Sequence, residues 1–211
     1  AAVSITQTGE TGAVYSLDEI KAITTVAHDH DLKVHMDGAR FANAVAALDC
    51  TAAEITCKAG IDALSFGASK NGAFAAEAVV LFTPGLAKDF AYRRKRAGHL
   101  FSKMRFLAAQ FEAYLKDDLW LKSARHANDC MKILSTGLAD IKDVELQFPA
   151  DANMMFASMP NRMIEDLRTA GFAFYDWPEK ERSVIRLVTA FDTARQDVEA
   201  FITEARRLSN A

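Results

Sequence analysis

The sequence predicts an α/β fold: a mostly parallel sheet flanked by helices, followed by a small α+β domain. Three observations carry this. Short β-branched or apolar runs alternate with helical segments through the first half of the chain, the pattern of strands joined by crossover helices. Helix-start signals fall between those runs: Ser16 stands three residues before Glu19, a capping box, and Thr51 precedes the segment holding Ile55. After a long helical stretch the pattern changes to short strands interleaved with two helices.

Taken in order, residues 3–6 form a β-branched strand, followed by a polar turn over residues 7–12. The helix capped by Ser16 runs to about Asp29. Residues 33–36 read as a strand ending at Asp37-Gly38, and the Ala-rich residues 41–48 as a helix. Residues 61–66 are the next strand, leading into Gly67-Ala68-Ser69-Lys70-Asn71-Gly72. Residues 78–82 are an apolar strand closed by Pro84-Gly85. Residues 86–115 are helical with a break near Gly98, and a second helix covers residues 120–138. Strands follow at 144–148, 154–158, 173–175 and 184–188, with helices at 162–170 and 195–208. The expected division is residues 1–115 for the first domain, 116–142 for a helical connector and 143–211 for the small domain.

Composition narrows the function classes. Half of the 211 residues are hydrophobic, enough for real cores. A formal net charge of −3 argues against nucleic acid as the main partner, since a phosphate-binding face needs a basic excess. No apolar run approaches the roughly 20 residues that span a bilayer, so no membrane association is expected. The odd set Cys50, Cys57 and Cys130 does not form a disulfide framework, and a reducing, cytoplasmic setting is expected. The opening Ala-Ala-Val-Ser-Ile-Thr enters as a strand without an initiating Met or a signal-peptide pattern, and reads as the middle of a longer protein.

Two segments carry chemistry. In His35-Met36-Asp37-Gly38-Ala39-Arg40, Asp37 falls at the C-terminal end of a strand, the edge of an open α/β sheet where ligands bind. Gly38 is expected to permit a sharp turn, and Arg40 to project from the start of the next helix. By itself this is also what an Asp capping a helix and paired to an Arg looks like. In the second segment Lys70 lies just past a buried strand between Gly67 and Gly72, small residues that would let a planar ligand approach. A desolvated lysine there has a lowered pKa and suits Schiff-base chemistry, although alone it reads equally as a loop lysine. The two are 33 residues apart, and both would emerge at one edge of the sheet. Pyridoxal 5'-phosphate needs this pair: a lysine to carry it as an imine, and a carboxylate that keeps the pyridine nitrogen protonated.

Residues 34–44 (Val-His-Met-Asp-Gly-Ala-Arg-Phe-Ala-Asn-Ala), the segment 66–72, the basic segment 93–105 and Ile185-Arg186-Leu187-Val188-Thr189 resemble, in order, four segments of the threonine aldolase family of fold type I pyridoxal-phosphate enzymes. The resemblance implies that residues 1–115 are the C-terminal part of a cofactor-binding large domain. It implies Lys70 as the cofactor lysine and Asp37 as the partner of the pyridine nitrogen. Arg40 would neighbour the cofactor's phenolic oxygen or the substrate carboxylate, with Ser69 beside the cofactor. Arg186 would clamp the substrate carboxylate, as a guanidinium can through paired hydrogen bonds; otherwise it is a surface arginine on an edge strand. Ser102, Lys103 and Arg105 would help hold the phosphate, while the basic run 93–96 reads as a solvated helix face. Family members also carry a phosphate-cradling loop and a ring-stacking side chain before the position of Ala1, and many have a His where this chain has Ala190.

The expected activity is cleavage of β-hydroxy-α-amino acids (threonine, allo-threonine, phenylserine-like compounds) to glycine and an aldehyde, by a homodimer or homotetramer or together with a separate N-terminal half. This chain alone is expected to be inactive. Rival readings are another β-eliminating lyase of the same fold, a non-catalytic subunit or fragment, and an α/β domain for some other phosphate ligand. The run His28-Asp29-His30-Asp31 reads as a polar helix end rather than a metal site, His99 and His126 as structural, and Met154-Met155 as core.

Overall fold

The computed structural model describes residues 1–177 and 183–210. They divide into two compact units. The first comprises Ala1–Thr8 and Tyr15–Lys122, and the second Gly9–Val14 with the residues from Ser123 on.

The first unit is built on a sheet of β1 (Ala2–Thr6), β2 (Lys33–Gly38), β3 (Ala63–Gly67) and β4 (Glu77–Leu81), in that order. The first three strands are parallel and β4 runs antiparallel, so the sheet is mixed. Val34, Met36 and Leu64 alternate onto the buried face. The helix α1 (Leu17–Asp29) begins with the expected capping box of Ser16 and Glu19, and buries Ile20, Thr24 and Ala27. Next come α2 (Phe41–Leu48) and the short α3 (Ala52–Ile55), which Thr51 caps reciprocally with Glu54. The helical run expected over residues 86–115 is a 3-10 turn, Pro84–Ala87, and two helices, α4 (Phe90–Arg96) and α5 (Met104–Leu115). The break is where Gly98 predicts it: at φ +77 it turns the chain while its N–H and that of His99 reach back to Lys95 O and Arg94 O.

A polar node ties the starts of β2 and β3 to the chain that leaves β4. Asp62, 5% exposed, accepts from Val34 N (2.9 Å), Lys33 Nζ (3.1 Å), Thr83 Oγ1 (2.5 Å) and His28 Nε2 (2.9 Å). Burial pushes its carboxyl up, but the hydrogen bonds from Thr83, His28, Val34 and Lys33 outweigh it and hold it well below the usual carboxylate range.

The helix α6 (Leu119–Ala139) carries the chain from the first unit into the second. There its stripe of Cys130, Met131, Leu134 and Leu138 forms part of the core, with α7 (Asn161–Thr169) and α8 (Arg195–Ser209). These helices cover an antiparallel sheet of β5 (Glu145–Leu146), β6 (Met154–Ser158), β7 (Tyr175–Trp177) and β8 (Val184–Val188), ordered β5-β6-β8-β7. Met155, Ala157, Ile185 and Leu187 fill the helix-facing side. The strand expected at 144–148 is shorter, and the one expected at 173–175 lies two residues later, where Tyr175 pairs with Arg186.

Candidate active site

The C-terminal ends of β2 and β3 form one edge of the first unit's sheet. Asp37 pairs in register with Ser65, and Gly38 with Phe66. Both candidate segments therefore leave the sheet side by side, as the sequence predicts. Asp37 Oδ1 accepts from Ala39 N (3.0 Å), which fixes the carboxylate against the turn that follows, and Asp37 O accepts from Gln7 N (2.8 Å). Two residues earlier on the same face, the ring of His35 bridges Ser4 Oγ (2.8 Å) and Ser65 Oγ (2.9 Å), linking β1, β2 and β3.

The glycines serve a different purpose from the one expected. Gly38 is not in the left-handed region; its need is space, because a Cβ there would lie 2.7 Å from Ser65 O and 2.6 Å from Leu64 Cδ1. At Gly67 a Cβ would meet Glu77 Oε2 at 2.8 Å and Ala39 Cα at 3.0 Å. The space beside Gly67 is thus taken by protein rather than left for a ligand: it seats the Asp37–Arg40 turn directly on the strand that leads to Lys70. Gly38→Ala is expected to cost roughly 1–3 kcal/mol, the range for overpacking. A urea-unfolding midpoint equal to that of the unsubstituted protein would contradict this.

Lys70 sits in a 3-10 turn, Ser69–Asn71, and is exposed; the desolvation expected from the sequence is not provided by the residues of this chain. Its two neighbours are pinned. Ser69 Oγ accepts from Ala76 N (3.2 Å) and keeps its own proton to donate. Asn71, 3% exposed, spends both amide protons, on Tyr114 Oη (2.7 Å) and Trp120 O (2.8 Å). Beneath both segments Phe41, Phe66, Phe111, Tyr114 and Trp120 pack ring to ring at centroid distances of 5.7–6.5 Å. Burial pushes the Tyr114 phenol up; the Asn71 hydrogen bond lowers it and the Glu77 charge raises it further.

Arg40 caps α2 beside the Asp37 turn, without capping through its side chain. Lys103 and Arg105 are exposed at the start of α5; Arg105 lies over the Phe106 ring at 4.8 Å, and no contact joins either residue to Asp37 or Lys70. Ser102 is exposed before them. In the second unit Arg186 lies on β8, flanked on both sides by β6 and β7, so it is not on an edge strand. It is half-buried, and its Nε donates to Met154 Sδ (2.9 Å). Glu77 and Asn71 escaped the sequence reading. A carboxylate at the first residue of an antiparallel strand reaches the same edge as Asp37, but only the strand's direction reveals it.

Among the described residues, no group of three His, Cys, Asp or Glu side chains is arranged to hold a metal ion, and no helix is long and apolar enough to cross a membrane. His28 is engaged with Asp62, and His126 Nε2 with Thr193 O (2.8 Å).

This is an α/β protein in which Asp37 and the turn carrying Lys70 lie at the C-terminal edge of its parallel strands. A family model described as beta-eliminating lyase matches residues 1–161, and the chain belongs to that family. It is 46% identical, over 209 residues, to the low specificity L-threonine aldolase of a Pseudomonas species and 44% identical to that of Pseudomonas aeruginosa. Each match covers 99% of this chain and 60% of the relative, so the chain spans about three-fifths of the length of the curated relatives it matches. The threonine aldolase of Leishmania major superposes with a TM-score of 0.92 at 28% identity, covering 99% of this chain and 61% of that one.

Proposed function

We propose that the protein is a pyridoxal-phosphate-dependent carbon–carbon lyase that splits β-hydroxy-α-amino acids, with threonine, allo-threonine and phenylserine-like compounds as its substrate class, into glycine and an aldehyde. The observation that carries this is that the segments bearing Asp37 and Lys70 leave paired strands at one sheet edge, with Ala39 seated on Gly67. The similarity to low specificity L-threonine aldolases supports the substrate class.

The donor set fits the cofactor. A planar aldehyde with a basic ring nitrogen calls for an amine and a carboxylate near one another; Asp37 near the end of β2 and Lys70 in the turn after the neighbouring β3 are consistent with that need. When bound, the cofactor supplies an electron sink for the bond being broken. Asp37, held by Ala39 N, presents a fixed negative charge that keeps the ring nitrogen's proton in place. Lys70 would hold the cofactor through its aldehyde, supplying the amine that such a group requires. Ser69, with its proton free to donate, neighbours the cofactor. Arg40 serves the phenolic oxygen or the substrate carboxylate, Arg186 clamps that carboxylate, and Lys103 and Arg105 serve the phosphate. In this reading residues 1–115 are the C-terminal part of the cofactor domain and 143–211 the small domain. The intact protein is a cytoplasmic homodimer or homotetramer.

Product analysis tests the proposal. The intact protein, supplied with the cofactor and allo-threonine, is expected to release glycine and acetaldehyde in equal amounts. Ammonia and a keto acid instead would make it a β-eliminating lyase of the same fold, the second reading that the family description favours.

A further inference from the structure

The turn that carries Lys70 is anchored outside the sheet. Asn71 directs its side chain inward while Lys70, one residue before it, is exposed. Its two N–H groups reach the last turn of α5, at Tyr114, and the first turn of α6, at Trp120 O. The elbow between those helices is bent by Asp117 and Asp118, both in the left-handed region. The main chain of the turn closes on Ala68, whose carbonyl accepts from Asn71 N (3.0 Å) and Ala73 N (3.1 Å), and Ser69 is tied to β4. Each neighbour of Lys70 therefore has a fixed partner. A buried amide costs desolvation that a leucine of similar size would not, so a buried asparagine spending both amide protons on Tyr114 Oη and Trp120 O calls for an account beyond filling space.

We propose that Asn71 is a positioning residue for Lys70: held by Tyr114 and the Trp120 carbonyl, it fixes the direction in which the lysine leaves the turn and so sets how readily the amine bonds to the cofactor aldehyde. The inference rests on the cofactor reading above. In the step concerned the neutral Nζ attacks the aldehyde carbon. A C=N bond forms, and the aldehyde oxygen departs as water with the two amine protons. The equilibrium of such a closure depends on the effective concentration of amine at the carbonyl, which a loosened turn lowers.

The test compares two cofactor forms in the intact protein. Pyridoxal 5'-phosphate bonds to Lys70; pyridoxamine 5'-phosphate has an amine in place of the aldehyde and cannot. Asn71→Ala is expected to weaken binding of the aldehyde form, and the yield of borohydride-trapped Lys70, by roughly tenfold or more, as losing two hydrogen bonds from the turn implies. Binding of the amine form should change by less than about twofold, since it makes no bond to Lys70. If both forms weaken equally, Asn71 only supports the fold and the proposal fails; it fails also if neither changes. Should Asn71→Ala not fold, Tyr114→Phe keeps the ring in its cluster and removes one acceptor. A selective loss of about threefold for the aldehyde form is then expected, and an equal loss for both forms, or none, overturns the proposal. If the unsubstituted protein gives no borohydride label at Lys70, the cofactor reading itself falls and takes this inference with it.

Discussion

Lys70→Ala is expected to abolish borohydride labelling and to lower turnover of allo-threonine by roughly a thousandfold or more, because no other amine lies in that turn to take the lysine's place. The substitution should leave the fold alone, since the side chain is exposed and the turn is held by Ala68, Ser69 and Asn71. Asp37→Asn makes the useful contrast. It keeps an oxygen for Ala39 N but removes the negative charge. Label at Lys70 should therefore persist while turnover falls by a factor on the order of a hundred or more, the electrostatic share of the step. Peptide mapping of the reduced, labelled protein separates the two. Label found on a lysine other than Lys70, or an Asp37→Asn protein with full turnover, would remove the assignment of these residues.

What the sequence could reveal follows from how local each signal is. The capping box at Ser16, the helix cap at Thr51, the break at Gly98 and the strand ending at Asp37-Gly38 are encoded within a few residues, and all four are found in place. That the segments holding Asp37 and Lys70 leave the sheet at one edge is legible because two parallel strands with a crossover must end at the same edge. Strand direction is less legible. A continuous apolar run over 78–82 does not say whether β4 runs parallel or antiparallel, and that direction is what brings Glu77 to the edge where β3 ends. The purpose of Gly67 was hidden for a related reason: a glycine next to a lysine invites a ligand, whereas its neighbour is Ala39, brought close only by the pairing of β2 with β3. Asn71 finds Tyr114 across 43 residues, and no spacing rule predicts that bond. The alternative reading of Arg186 as a surface arginine on an edge strand falls only once β7, which follows a helix and a loop, is seen to cover β8 on its far side.

The largest effect on stability is expected at Asp62, at the opposite end of the strands from Lys70. A single Asp before an apolar strand looks unremarkable in sequence, yet it gathers the end of α1, the start of β2 and the residue that leaves β4 through His28, Lys33, Val34 and Thr83. Truncation to alanine leaves the Val34 N–H buried without its acceptor and separates the Lys33 ammonium from its anion. Asp62→Ala should therefore cost about 3 kcal/mol, the scale of breaking a buried, hydrogen-bonded charge. The pH dependence gives a second handle. The folded carboxyl lies below its unfolded value of about 3.9, so its contribution is complete above that pH and is lost as pH falls toward the folded value. The unfolding free energies of the unsubstituted protein and Asp62→Asn should accordingly differ more at pH 7 than near pH 3. Urea unfolding at the two pH values measures this, and an equal difference at both would mean that the charge of Asp62 does not stabilise the fold. Because the node is remote from the site edge, the folded fraction of either variant should still take borohydride label at Lys70. Lost label in a protein that remains folded would mean that the two ends of the strands are coupled, and that the site edge is not held by Gly67, Ala39 and Asn71 alone.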